Sequence, residues 1–389
     1  MNSLPGNKRK ILYLTHRDAS DKREWSGTMY YMARALSKHA GEVIFAGPFK
    51  PGILLFFLKA LNKISLALFR KRYSIPYSYL LSMRYKQYFT KKIRNIQPDI
   101  VVAVSASGEM SLLKAECPIV YVGDVTFMQL IDNYPNFTRL SSLSLWESDI
   151  VERKTFNNAS ALVFSSEWAV NSAREDYGIP DEKLHLISYG ANLDHIPMAQ
   201  DVSGKKLGKP VRILFLGVDW VRKGGDIVYR SFLNMLDKGF NIQLTVIGCV
   251  PPVSFKGQEL KIIPFLNKNR EEDAAVLYDI LMETDFLFVP SRSDCTPIAF
   301  CEANAFGVPV ITSDVGGVTS VIHNGVNGHT LPLDSPLEDF TGLFGSYIAD
   351  PESYRQLVIS TRDYYDQHLN WDQWGNKMNL LFNSLLQKE

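Results

Sequence analysis

This 389-residue chain is short of several things, and each shortage narrows what it does. It has no excess of one charge: 42 Lys and Arg stand against 41 Asp and Glu, a net charge of +1, which argues against a nucleic-acid-binding protein. Cysteine is scarce. The four present, Cys117, Cys249, Cys295 and Cys301, lack the paired spacing of a zinc site, so reduced thiols in a cytoplasmic protein are expected, with Cys295 the one worth a reactivity test. No G-x-G-x-x-G follows a strand, which argues against a dehydrogenase. No Asp-x-Asp pair is present to hold a metal on a diphosphate, so neither a divalent ion nor a cofactor is expected. Internal repeats and low-complexity tracts are missing too. The opening MNSLPGNKRK leads into a short strand, ILYLTH, and not into the apolar core of a signal peptide, so export is not expected.

With 46% hydrophobic residues the chain has material for two domains, and strands alternate with helices through two stretches. Strands are expected at 11–15, 42–46, 100–105, 119–122, 161–164 and 184–187, then at 211–217, 243–248, 260–263, 286–290 and 309–313. Each set makes one doubly wound sheet, an α/β architecture. Pro197–Pro210 lacks apolar periodicity and reads as a linker, with the ligand expected in the cleft beside it. The expected domains are 1–196 and 210–370, with a last helix from about 371 to 389 crossing back to the first.

The most informative block is FLFVPSRSDCTPIAFCEANAFGVPVITSDVGG, residues 286–317, where Glu302 is the only charged residue between Asp294 and Asp314. Phe286–Pro290 reads as a buried strand, and Pro297 suits the first position of a helix capped by Thr296. Gly307 and Pro309 stop that helix before the next strand. A helix start offers N–H groups and partial positive charge to an anion, and Glu302 lies about 7 Å further along the axis. Two carboxylates would thus flank one anion site, an arrangement suited to a diphosphate with a sugar on each side. The competing account makes Asp294 a loop-turn residue and Glu302 a solvated position, yet an exposed helix face normally carries several polar residues.

A second segment, Val211–Gly217 followed by VDWVRKGGD, places Arg222 and Lys223 beside Gly224 and Gly225 at a helix start. Glycine lets a backbone approach phosphate, Arg binds its oxygens bidentately and Lys adds a point charge. Taken alone, a basic turn is more often simply solvated. In the first half, Gly27 opens a helix and is either a turn residue or a ligand contact. His16 and the adjoining Arg17, at the end of ILYLTH, and Asp124, after the strand ending at Val122, lie at strand ends that face the crevice of a doubly wound sheet. A structural or solvated role for His16 competes with an acceptor contact.

The 286–317 block resembles the E-x7-E signature of family 4 of the retaining glycosyltransferases, which have the GT-B fold of two Rossmann-like domains facing a central cleft. Asp294 and Glu302 stand at the two acidic positions, the first being Asp where Glu is usual. Cys295, Thr296 and Pro297 replace the usual Gly-Phe-Gly. Lys223 and Gly224 match the family's phosphate-binding Lys-Gly, while Val218 stands where an Arg is usual and Arg222 is its candidate substitute. The resemblance implies that Glu302 holds the ribose hydroxyls, that Asp294 contacts the donor sugar, and that Thr296, Pro297 and Ile298 hold phosphate through their backbone. It also favours a donor or acceptor role for Gly27, and it puts Asp124 near the position where many relatives have a sugar-contacting His. The segment Pro264–Leu266 is a candidate lining for the base, with Leu266 as a donor contact. The activity so implied is transfer of a sugar from a nucleotide-diphosphate sugar to a hydroxyl acceptor, a glycan or lipid-linked saccharide of a cell-envelope polysaccharide, with retention and without metal. Asp294, Arg222, Lys223 and Asp124 are the expected catalytic residues. The alternatives are an epimerase or phosphorylase on the same architecture and a noncatalytic nucleotide-sugar-binding protein.

One asymmetry stands apart: Val43 to Pro98 contains eleven Lys or Arg and no Asp or Glu. Within it, Ile53–Phe69 carries Lys59, Asn62, Lys63 and Arg70 along one helical side and bulky apolar residues around the rest. At seventeen residues with two lysines it is a poor membrane span and a better interfacial helix. Peripheral contact with the inner face of the plasma membrane through 53–94 is therefore expected, against the alternative of a helix packed into the domain with its basic side in water.

Overall fold

The computed structural model describes residues 8–252 and 257–387. The first seven residues, where the chain was read as starting without a signal peptide, and the last two, read as the end of the final helix, lie outside them.

Runs rich in Val, Ile, Leu and Phe form two fully parallel sheets, as expected for strands buried on both faces. The first has the order β2-β1-β3-β4-β5-β6, built from β1 Lys10–Leu14, β2 Glu42–Phe45, β3 Ile100–Val104, β4 Ile119–Gly123, β5 Ala161–Phe164 and β6 Leu184–Leu186. The second has the order β12-β11-β10-β7-β8-β9, built from β7 Val211–Leu216, β8 Ile242–Ile247, β9 Leu260–Ile263, β10 Phe286–Val289, β11 Val310–Ser313 and β12 Gly328–Leu331. Each of the eleven expected strands is present. The added one, β12, reads GHTL and lies at a sheet edge, where half-buried polar residues leave no apolar run to detect.

The chain divides into two compact units, Met1–Ile187 with Trp374–Glu389, and Ser188–Gln373. In the first, the Trp371–Leu386 helix supplies buried Trp374, Met378 and Phe382, and Gly375 leaves room for the carbonyl of Ala35, 3.0 Å from where a Cβ would stand. Arg9 donates to Asn379 at 2.9 Å and to Asn383, tying this helix to the start of β1. In the second unit, the segment read as an unpatterned linker is partly built into the fold. It contains a short helix, Ala199–Val202, whose Val202 is buried, and Lys205 donates to the Thr284 carbonyl at 2.7 Å. Lysine stems pack well on apolar surface, which composition alone hides.

Each sheet has one place where successive connections leave in opposite directions, between β1 and β3 in the first and between β7 and β10 in the second. Loops diverge there and open a crevice at the C-terminal ends of the strands. The loops after β7 and β10 carry the two motifs read from the sequence.

Candidate functional site

Strand pairing brings the motifs together. Phe286 of β10 lies beside Ile213 of β7, so the turn Gly217–Gly224 and the loop Pro290–Pro297 leave the sheet side by side. The two are stitched by backbone contacts: Arg292 N–H donates to the Arg222 carbonyl at 2.7 Å, and the Arg222 guanidinium donates to the Ser293 carbonyl at 2.9 Å. Gly224 is in the left-handed region at φ 72°, and a Cβ there would come within 2.0 Å of the Pro290 carbonyl oxygen. Only glycine fits that position.

Lys223 and Asp294 form an ion pair, with side chains 12% and 10% exposed. The Ser291 hydroxyl donates to the same carboxylate at 3.1 Å, and Arg222 stands 3.9 Å from its other oxygen. Arg222 is also 3.7 Å from Asp219, so two cations and two acids share the mouth of the turn. Val218 is exposed at the position after the strand's glycine, and Arg222 brings its guanidinium to the Asp294 side instead.

The helix after β10 runs Ile298–Ala305, with Pro297 and not Thr296 in the cap position. Its ψ of 103° keeps Pro297 extended, so the helix begins one residue later than its sequence suggests. Among the described residues no side chain caps this end, whose first amides have no intrahelical acceptor. Thr296 and Pro297 are buried beside it, and the Asp294 carbonyl accepts from the Gly317 N–H at 3.2 Å. The start of the helix is therefore held in an electropositive, partly desolvated corner.

Glu302 is buried at 1% exposure and forms an ion pair with Lys268, on the loop after β9. Burial lifts its carboxyl above the ordinary value, opposed by the charge of Lys268 and hydrogen bonds from Lys268 and the Asn192 backbone. Glu302 is thus no solvated helix position. Leu266, on the same loop as Lys268, packs against the apolar core of this unit.

Sequence reading missed Lys268 and Arg292. Lys268 sits in the polar run NKNR and looks like any loop lysine, but the isolation of Glu302 was a signal, because a buried carboxylate needs a cation. Arg292 binds Asp226 through two contacts of 2.7 Å and donates to the Val221 carbonyl at 2.6 Å, clamping the turn to the loop. Hydrogen bonding to Arg292 holds the Asp226 carboxyl below its usual value.

The remaining candidates fall in the first unit. His16 pairs through Nδ1 with Glu109, which is buried just after β3, so the ring is oriented with Nε2 directed away from the pair. Glu109 was not singled out in the sequence. Arg17 pairs with Glu24 at 3.3 Å and lines an open cavity of about 310 Å³ with Thr15, Asp18 and Ser20. Gly27 is buried at φ 92°, at the start of the Thr28–His39 helix. Asp124 follows β4 and is partly buried. Among the described residues no three His, Cys, Asp or Glu side chains converge as a metal-ligand group.

Comparison with known proteins covers both units. The family model described as "Glycosyltransferase Family 4" matches residues 27–195, and "Glycosyl transferases group 1" matches 210–343. The chain is 24% identical over 269 residues to the D-inositol 3-phosphate glycosyltransferase of Xylanimonas cellulosilytica, covering 63% of each. It is 23% identical to that of Corynebacterium jeikeium, covering 61% of this chain and 60% of the relative. The match thus spans about three fifths of these curated relatives. Among solved structures, sucrose-phosphate synthase from Thermosynechococcus elongatus is similar at a TM-score of 0.69 and 16% identity, over 98% of this chain and 100% of that one. The lipopolysaccharide outer core galactosyltransferase WaaB gives 0.62 at 13%, over 96% and 99%. Anabaena HepE in complex with UDP and glucose gives 0.63 at 14%, over 97% and 100%.

Proposed function

Since the chain belongs to the family 4 and group 1 glycosyltransferases and has their GT-B architecture, we propose that it moves a sugar from a nucleotide-diphosphate sugar to a hydroxyl acceptor. The observation that carries this is the meeting of Lys223 with Asp294, which unites a cationic turn and an acidic loop read independently from the sequence. The diphosphate lies against Arg222, Lys223 and the backbone of Thr296 to Ile298, Glu302 accepts from the ribose hydroxyls, and Leu266 lies toward the base. Asp294 positions the sugar.

In the reaction the bond between the anomeric carbon and the diphosphate breaks, and the nucleoside diphosphate leaves with the electron pair. The acceptor oxygen bonds to that carbon while its proton passes to the departing phosphate. Charge on the leaving group grows along this path, so Arg222 and Lys223 act most strongly at the transition state, and no metal is required of the scheme. Attack from the leaving group's own side gives retention, a feature taken from the resemblance. On the first unit, His16 and Arg17 are assigned to the acceptor, Gly27 to donor phosphate and Asp124 to the catalytic group. The acceptor is a glycan or lipid-linked saccharide of a cell-envelope polysaccharide, a reading supported by similarity to a protein named for lipopolysaccharide outer core synthesis.

Thermal shifts with UDP, GDP, ADP and their sugars test the donor site, followed by product analysis with soluble and lipid-linked acceptors. Stabilisation by one nucleotide class, lost in both Glu302→Ala and Lys223→Ala, is the expected result. Unchanged affinity in both variants removes the donor site, and donor turnover without an acceptor turns the reading to an epimerase or phosphorylase.

A further inference from the structure

The Ile53–Phe69 helix buries a single residue, Leu58. At about 100° per residue its side chains fall into three sectors. Leu54, Leu58, Asn62 and Ser65 share the side turned to the unit. There Asn62 accepts from the Tyr73 N–H and Ser65 donates to the Lys71 carbonyl, both at 2.8 Å. Next comes a stripe of Lys59, Lys63 and Arg70, all exposed. The third sector, about 140° wide, holds Ile53, Phe56, Phe57, Leu61, Ile64 and Leu68, every one of them in solvent. Phe56 is 70% exposed and Leu68 71%, which no packing within this unit explains.

We infer that this helix lies flat in the interface of an anionic lipid bilayer, with the third sector among the acyl chains and the basic stripe at the level of the headgroup phosphates. Charge selects this occupant. Eleven cations and no acid between Val43 and Pro98 match an anionic surface, whereas a second copy would bring the same sign against it. The described helices include none long and apolar enough to cross a membrane, so the helix rests on the surface. Neighbouring segments also expose apolar side chains. Glu147 accepts from the Tyr79 N–H at 2.7 Å and pairs with the Tyr73 hydroxyl, which holds the Ser142–Asn158 helix beside the segment that follows the apolar helix. That helix exposes Leu143 and Trp146, at 60% and 64%, and Leu80 next to Tyr79 is 50% exposed. Tryptophan is favoured at the depth of the headgroups.

The inference rests on the proposed transfer reaction only in naming the surface on which a lipid-linked acceptor would be met. Docking itself is read from vesicles without donor or acceptor, so the two fail separately. The whole chain is sedimented with vesicles of phosphatidylcholine, with and without phosphatidylglycerol. Binding is expected to the anionic vesicles and to weaken with salt. Phe57→Ser with Leu68→Ser should lower it by at least about tenfold. Lys59→Gln with Lys63→Gln should weaken the preference for anionic lipid. Both pairs lie in solvent and should keep the parent's melting temperature and nucleotide response. Wild-type protein left in the supernatant overturns the inference, as does binding that neither pair reduces. A dimer in sedimentation velocity that Phe57→Ser with Leu68→Ser dissolves, without vesicle binding, would show that a second copy covers this face.

Discussion

Lys268 closes on Glu302 from a different strand's loop, so the carboxylate at the heart of the second unit is held by a cation that is 23% exposed while Glu302 itself is 2% exposed at the side chain. The pair is asymmetric in its wetting, and the buried partner bears the cost.

Lys268→Ala leaves that carboxylate without its cation. A loss of about 3 kcal/mol is expected, at the low end for breaking a buried pair because Lys268 is partly solvated. The pH dependence has a definite sign. Burial raises the folded value of Glu302, so its contribution is complete below the unfolded value and is lost as pH rises through the folded one. Removing Lys268 should raise that value further and steepen the loss. Urea midpoints of Lys268→Ala at pH 5 and pH 8 check this, and Glu302→Gln added to Lys268→Ala should recover most of the difference.

Lys223→Ala should retain the fold, since Ser291 and Arg222 still face Asp294. If a growing charge on the leaving diphosphate is what Lys223 serves, kcat/KM falls by about 10²–10³. Steady-state kinetics decide it, with Lys223→Arg giving partial recovery. A change confined to KM would place the lysine in ground-state binding alone.

Gly224→Ala tests the turn. With φ at 72° and the Pro290 carbonyl 2.0 Å from the added Cβ, the loops must separate. A destabilisation of about 2 kcal/mol or more is expected, because strain and clash add to the left-handed cost. Denaturant titration measures it, and nucleotide-induced stabilisation should fall with it.

The first unit has its own titrating core group. Glu152 is fully buried, with one oxygen accepting from the Phe127 N–H at 3.0 Å, and burial pushes its carboxyl up to about 7. The stability linked to this shift is present below about pH 4.5 and declines as pH rises to about 7, by on the order of 3 kcal/mol in total. Glu152→Gln removes the titration, so its advantage over the parent should grow across that interval and then stay level. Paired unfolding curves from pH 4 to pH 8 give the difference directly.

Strands such as Ile100–Val104 were legible because burial on both faces demands unbroken apolar runs, and the two motifs were legible because charge in an apolar block is conspicuous. Edge strand Gly328–Leu331 was not, since its half-buried polar residues carry no such mark. Asp294 and Lys223 could be named as candidates, but their pairing depends on β7 lying beside β10, a fact of topology. Lys268, Arg292 and Glu109 were hidden for a related reason. Each acquires meaning from a partner, at separations of 34, 66 and 93 residues, and nothing in the local sequence points across such gaps.

The Trp371–Leu386 helix has a consequence for biogenesis. Because Trp374, Met378 and Phe382 fill the interior formed by residues before Ile187, a nascent chain that has emerged as far as the second sheet still has an unfinished first unit. The start of β1 meanwhile stands with Arg9 lacking Asn379 and Asn383, its partners 370 and 374 residues further on. A segment made early is thereby completed by one made much later.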